Sequence, residues 1–312
     1  MNLLPSLKLP SPVTRIKHPL LNEKGIQLFI KRDELIHPII QGNKWRKLKY
    51  NLMAAQKNNQ KNNHQQILSF GGAYSNHLHA LAYAGKKLNI KTIGIIRGEA
   101  PRLLNPCLQD IINWGMQLKF IKRIDYKQKN NSDFLLNLKQ EFGDYYLIPE
   151  GGNNAKGKQG CAEILNELED NYDFICCEIG SGTMFSALIQ NNKNTHTQFL
   201  GFAVMKNSQL NKDIKSTLTE SATPANWKIN HDYHFGGFAK TSAELNAFIR
   251  QFKLDHNIQL EPVYSGKLLW GIFDLIKKNH FKRGTKLLAI HGGGLQGLRG
   301  FEENNSASKN QT

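Results

Sequence analysis

The chain has 312 residues, with 41 Lys and Arg against 25 Asp and Glu and a formal net charge of +16. That length suits one large or two modest domains with real cores. The lysines are scattered among Asn and Gln, as in 57–66 and 127–131. Without a dense Arg-rich block this argues against a nucleic-acid groove, and it leaves the positive field as an attractor for anionic cofactors and substrates.

Cys107, Cys161, Cys176 and Cys177 form no C-x-x-C pair and no metal-ligand spacing, so no metal site is expected. Free thiols suit a reducing compartment. Residues 1–12 lack the basic and apolar regions of a signal peptide. No window approaches the ~20 apolar residues of a membrane span. A cytoplasmic protein without membrane contact is the expectation.

In chain order, the first informative segment is Gly42-Asn43-Lys44-Trp45-Arg46-Lys47-Leu48. Asn43 suits the cap of a helix starting at Lys44 or Trp45. Trp45, Leu48 and Leu52 then share a face at helical spacing. A cation in a first turn opposes the helix dipole, and an amine engaged as an imine avoids that conflict. The spacing then predicts a strand at 67–70, a glycine turn, a helix at 76–88, and a strand at 92–96. A helix follows at 106–114, a strand at 117–121, a helix at 134–142 and a strand at 145–148. After Gly151 come a helix at 159–168, a strand at 174–179 and a helix near 185–189. The remainder reads as a strand at 199–205, helices at 245–252 and 268–276, and a last strand at 286–290. This β-α alternation predicts parallel sheets with helices on both faces. Seams near Lys47 and near 149–152 divide the chain into a large domain of 1–47 plus 151–312 and a small one of 48–150, with a ligand cleft expected between. Residues 304–312 read as a disordered polar tail.

Two glycine-flanked turns join a strand to a helix. In Ser69-Phe70-Gly71-Gly72-Ala73-Tyr74-Ser75-Asn76-His77 the capping residues Ser75 and Asn76 stand where free N–H groups also bind carboxylates. In Gly180-Ser181-Gly182-Thr183 two glycines and two hydroxyls make a phosphate cradle. It is not a P-loop, because no Gly-Lys-Ser/Thr follows. Tyr264 precedes a helix as a candidate proton donor. The run 292–297 matches a dinucleotide pattern, but the chain ends before the second strand and acidic residue that pattern requires.

In order, Gly42-Asn43-Lys44, Ser75-Asn76-His77, Pro149-Glu150-Gly151-Gly152, Gly180–Thr183, Pro262-Val263-Tyr264 and His291-Gly292-Gly293 resemble the fold type II pyridoxal-phosphate enzymes, whose type member is the tryptophan synthase β subunit. Within them the chain is most similar to the branch of D-cysteine desulfhydrase and 1-aminocyclopropane-1-carboxylate deaminase, over about 30–297. The resemblance implies an α/β fold of two domains, each an open, mostly parallel sheet flanked by helices. It implies pyridoxal 5'-phosphate as cofactor and a homodimer. It assigns Lys44 as the Schiff-base lysine, Ser75 near the reacting substrate carbon, and Asn76 to the cofactor or the substrate carboxylate. Asn43, Gly180, Ser181, Gly182 and Thr183 join the cofactor set, and Tyr264 is an active-site tyrosine. Ser75, Asn76 and His77 are expected to hold the substrate, with Lys44, Ser75 and Tyr264 catalytic.

Three positions depart from the pattern. Ser265 stands where the deaminase has a glutamate facing the pyridine nitrogen, Gly292 where desulfhydrases often have a threonine, and Phe238 where the deaminase has a second tyrosine. Ser265 is the first candidate for the nitrogen's partner. The expected reaction is a D-cysteine desulfhydrase-like α,β-elimination giving pyruvate, ammonia and hydrogen sulfide. The alternatives are 1-aminocyclopropane-1-carboxylate deamination, another small amino-acid dehydration or racemisation, and, outside enzymes, a basic anion-binding or nucleic-acid-binding protein.

Overall fold

The computed structural model describes residue 4 and residues 6–62, 66–218 and 226–301. The tail expected at 304–312 lies outside the described residues. In chain order the strands are β1 (Val13–Ile16), β2 (Gln27–Lys31), β3 (Gln66–Gly71), β4 (Lys91–Arg97), β5 (Met116–Ile121), β6 (Tyr146–Ile148), β7 (Phe174–Ile179), β8 (Gln198–Ala203), β9 (Trp227–Asn230) and β10 (Lys286–Ile290). The helices are α1 (Pro19–Lys24), α2 (Asn43–Asn62), α3 (Asn76–Leu88), α4 (Pro106–Asn113), α5 (Arg123–Tyr126), α6 (Ser132–Phe142), α7 (Ala155–Asn166), α8 (Thr183–Asn191), α9 (Leu210–Thr217), α10 (Ala243–His256) and α11 (Ser265–Lys277).

The chain forms two compact units. One is Lys44–Gly160 with the described residues of Met1–Leu7 and Gln296–Thr312, and the other is Lys8–Asn43 with Cys161–Leu295. The first unit carries a four-stranded sheet ordered β5-β4-β3-β6, parallel throughout. The second carries a six-stranded sheet ordered β1-β2-β10-β7-β8-β9. Its pairs are parallel except β1 with β2. Both units are therefore open, mostly parallel α/β sheets.

Parallel strands are covered on both faces and read as continuous apolar runs. The run Phe174-Ile175-Cys176-Cys177 shows why. Cys176 belongs to a core with Phe202, Leu287 and Ala289 under residues of α10 and α11. Its neighbour Cys177 belongs to the opposite core with Phe199, Leu288 and Ile290 under residues of α8 and α9. A side chain alternates face at each step of a strand, so the apolar residues of β7 fall alternately into the two cores. Each Leu, Ile or Phe fully buried this way contributes about 1.5–3 kcal/mol. The four-stranded sheet is packed through Leu68, Phe70, Ile93 and Ile95 against Tyr126 and Leu138.

The four cysteines are buried and stand outside any disulfide. Burial pushes the Cys107 thiol up to about 12 and the Cys176 thiol further up, so these thiols are inert core groups. Among the described residues no cluster suits a metal ion, and no helix is long and apolar enough to cross a membrane.

Candidate active site

In the four-stranded unit the site begins at the first turn of α2. Trp45, Leu48 and Leu52 are buried along one face of the helix, as their spacing requires. Asn43 is the first helical residue rather than the cap outside it. The preceding Gly42 has φ +50, a left-handed turn that brings the chain into the helix one residue early. Further along α2, Asn51 is fully buried. Its Nδ2 donates to the Lys47 carbonyl at 2.8 Å, and its Oδ1 accepts from Asn154 Nδ2 at 2.8 Å. Gly160 lies against the same helix so closely that a Cβ there would stand 1.8 Å from the Arg46 carbonyl oxygen. These contacts fix the backbone on which half-buried Lys44 is mounted.

α3 starts where the turn after β3 predicts. Ser75 is its N-cap, with Oγ accepting from Leu78 N at 3.2 Å. Gly71 makes room for that fold-back, since a Cβ there would meet Ser75 Oγ at 2.5 Å. Asn76 and His77 open the helix, where backbone N–H groups have no intrahelical acceptor. Asn76 Oδ1 accepts from Gln296 Nε2.

The His77 ring is buried, and its tautomer follows from its partner. Ser69 Oγ donates its one proton to the Ile148 carbonyl at 2.7 Å. It must then accept from His77 Nε2, 2.9 Å away. The proton is on Nε2, and buried Nδ1 has no hydrogen-bond partner among the described residues. Burial, and after it the positive charges of Lys44 and Lys47, pull the His77 pKa down to about 3. The ring is neutral at ordinary pH. Its side chain is a packing group, and what it offers at the helix start is its backbone N–H.

In the six-stranded unit the turn 180–183 leaves the C-terminal end of β7. Gly182 is the N-cap of α8 at φ 76, with no side chain capping the helix. Ser181 Oγ and Thr183 Oγ1 lie 2.9 Å apart. Left-handed glycine, uncapped N–H groups and two adjacent hydroxyls together form a concave donor set suited to a phosphate. Tyr264 stands over this turn, and a Cβ on Gly180 would be 3.3 Å from its Cε1. Phe238 packs against Tyr264 at 6.1 Å between ring centroids and 72° between planes.

Ser265 opens α11 and is fully buried. Its Oγ accepts from Glu261 N at 3.0 Å, and its proton is directed at Glu261 Oε1, 3.3 Å away. The Glu261 carboxylate also accepts from the N–H groups of Val263, Tyr264 and Ser265. Burial pushes the Glu261 pKa up, and these donors oppose that shift.

Three features have no place among the sequence candidates. Lys267 is fully buried, and its Nζ donates to the carbonyls of Val204, His234 and Gly237 at 3.1, 2.9 and 2.8 Å. It thus ties the segment before Phe238 to the end of β8. Burial pulls the Lys267 pKa down to about 8, while three carbonyl acceptors favour the full ammonium. His79, Asp110 and Arg299 form a second polar cluster. The third is Glu178, a buried carboxylate within β7. Its signal was a lone charge in an otherwise apolar strand.

These elements define a two-unit α/β protein with a lysine in the first turn of one helix and, at the end of a parallel strand, an uncapped helix start bearing two adjacent hydroxyls. The family model described as "Pyridoxal-phosphate dependent enzyme" matches residues 7–293. A protein of Pyrococcus horikoshii carrying the name "Putative 1-aminocyclopropane-1-carboxylate deaminase" is 30% identical over 287 residues, covering 88% of this chain and 86% of the relative. The mitochondrial bifunctional D-cysteine desulfhydrase/1-aminocyclopropane-1-carboxylate deaminase of Arabidopsis thaliana is 28% identical over 317 residues, covering 93% and 77%. A crystal structure described as an ACC deaminase homologue superposes with a TM-score of 0.79 at 28% identity, covering 96% of this chain and 94% of the other. The chain belongs to the pyridoxal-phosphate-dependent enzymes of fold type II, in the family of 1-aminocyclopropane-1-carboxylate deaminase and D-cysteine desulfhydrase. Its cofactor is pyridoxal phosphate, and the uncapped Gly180–Thr183 turn fits the phosphate of that group.

Proposed function

We propose that the protein is a lyase acting on a small amino acid by α,β-elimination, in the manner of a D-cysteine desulfhydrase, with Lys44 holding the cofactor aldehyde. When bound, pyridoxal phosphate supplies a conjugated ring that spreads the negative charge left when a substrate loses its Cα proton. The protein's residues supply the rest. The uncapped start of α8, with Ser181 and Thr183, holds the phosphate. Asn43 and Ser265 complete the cofactor set from the start of α2 and the start of α11. Backbone N–H groups at Asn76 and His77 hold the substrate carboxylate, which orients the Cα–H bond. Lys44 Nζ takes the Cα proton. The Ser75 or Tyr264 hydroxyl donates a proton to the departing β-thiolate, leaving pyruvate and ammonia after hydrolysis.

The observation that carries elimination over ring opening is the pair Ser265 and Phe238 around Tyr264. Ser265 brings no carboxylate and is engaged with Glu261, and Phe238 brings no second phenol to the Tyr264 ring. Cyclopropane opening is the second reading, favoured by the names of the relatives.

The test is a panel of D-cysteine, L-cysteine and 1-aminocyclopropane-1-carboxylate, followed by hydrogen sulfide and α-keto acid release. Sulfide and pyruvate from D-cysteine, well above the cyclopropane rate, are the expected result. Consumption of the cyclopropane without sulfide from either cysteine would replace the first reading by the second.

A further inference from the structure

A carboxylate inside an apolar strand is costly unless it has work to do. Glu178 is 5% exposed and is the penultimate residue of β7, two positions before the Gly180 turn. In open parallel sheets ligands bind at the C-terminal ends of the strands. β10 pairs with β7 in parallel, so Gly292, just past β10, leaves the sheet at the same edge as Glu178.

There the two positions exclude each other. A Cβ on Gly292 would lie 2.2 Å from Glu178 Oε1 and 2.8 Å from Asn43 Nδ2. No residue with a side chain fits at 292 while Glu178 holds this place. The surrounding backbone is closed down as well, with Asn43 N donating to the Gly292 carbonyl at 3.1 Å. Gly42 is pressed so near that a Cβ there would be 2.1 Å from the same oxygen. The glycine at 292 and the carboxyl group at 178 thus form one device, a buried acidic side chain at the sheet edge near the Gly180 turn.

We propose that Glu178 is the partner of the cofactor's ring nitrogen, in place of Ser265, whose proton is directed at Glu261. This rests on the reading of Gly180–Thr183 as the phosphate seat. The nitrogen takes a proton from solvent, and Glu178 Oε1 or Oε2 accepts the resulting N–H in a charge-assisted bond. The proton stays on the nitrogen throughout turnover, and nothing is oxidised or reduced. A ring held protonated is a stronger electron sink. The carboxylate missing at 265 is supplied from 178 for loss of the Cα proton, while the second phenol absent at Phe238 still sets elimination apart from cyclopropane opening.

The experiment uses holoenzyme loaded with pyridoxal phosphate labelled with ¹⁵N in the ring. The nitrogen shift is followed against pH in the wild type, Glu178→Gln, and the double variant Glu178→Ala with Gly292→Thr. The wild type should show a protonated ring well above neutral pH. Glu178→Gln should lose that signature and slow turnover by about a hundred-fold, an effect on the scale of a lost proton-transfer or charge partner. The double variant should recover bound cofactor with an unprotonated ring. A wild-type ring that is unprotonated at neutral pH overturns the proposal, whether or not the variants fold, and so does an unchanged shift in Glu178→Gln. Thr183→Val separates the two readings. It should weaken cofactor binding and leave the shift where it is, whereas failure of the phosphate seat would leave binding untouched.

Discussion

In the four-stranded unit the start of α2 is basic. Lys44, Arg46 and Lys47 cluster along one turn, and Arg46 and Lys47 are buried. In the six-stranded unit the buried acidic residues among the described residues are Asp33, Glu34, Glu178 and Glu261. Of the cations buried in that unit, Lys31 pairs with Glu167 and donates to the Ser11 carbonyl, and Lys267 donates to three backbone carbonyls. The difference matches two chemical tasks. On the proposed reading the start of α2 carries the amine that binds an aldehyde and later takes a proton, and His77 in the same unit is kept neutral. An edge that faces a basic heterocycle works best with fixed negative charge.

Removing the amine is the hardest blow to that contrast. Lys44→Ala should lower turnover by about a thousand-fold or more, the range associated with loss of a positioned base. The yellow colour of the bound cofactor and its trapping by borohydride should both disappear. The six-stranded unit keeps its phosphate seat in this variant, so weak reversible cofactor binding should survive in an equilibrium titration. Turnover near the wild-type rate would remove Lys44 from the centre of the scheme.

The basic side of the contrast also has a pH signature. The His77 pKa is about 3 in the fold against 6.5 in the unfolded chain. Between those values the unfolded chain binds the proton and the folded one does not. Stability from this group is therefore fully present above 6.5 and is lost as pH falls towards 3. The full window corresponds to a loss on the order of 5 kcal/mol. Glutamine keeps a donor for Ser69 and has no proton to gain, so His77→Gln should flatten the acid limb of a denaturant-midpoint profile. An unchanged slope would mean that His77 titrates normally.

Much of this arrangement was readable from the chain. The runs at 174–179 and 286–290 are apolar apart from Glu178 and Lys286, and both strands have those limits. The helix at 76–88 was marked by Ser75 and by its periodicity. β1 and β9, four residues each, are too short to show a period, and β2 beside β1 went unread with it. α7 begins at Ala155, earlier than expected, because Gly157 and Gly160 look like loop residues. In the fold they are points of close approach, Gly160 to the Arg46 carbonyl and Gly157 to the Gly152 carbonyl. Propensity speaks against glycine in a helix, and tertiary contact overrides it. Glu178 was visible as a charge in an apolar strand, but its meaning depends on Gly292, which is over a hundred residues away in the chain and adjacent only once β10 lies beside β7.

The acidic unit's own seat gives the smallest effect and a direct test of how far it acts alone. Thr183 is buried at the first turn of α8, and its hydroxyl is 2.9 Å from that of Ser181. Valine keeps the shape and removes the hydroxyl, so the helix should persist. Its N–H groups would still face the phosphate, because those donors are backbone. A single hydrogen bond to a charged group contributes about 1.5–3 kcal/mol, so Thr183→Val should weaken cofactor binding by roughly ten-fold or somewhat more. The denaturant midpoint of the apoprotein should shift little. A large fall in apoprotein stability would make Thr183 a structural cap of α8. Unchanged cofactor affinity would count against the Gly180–Thr183 turn as the phosphate seat.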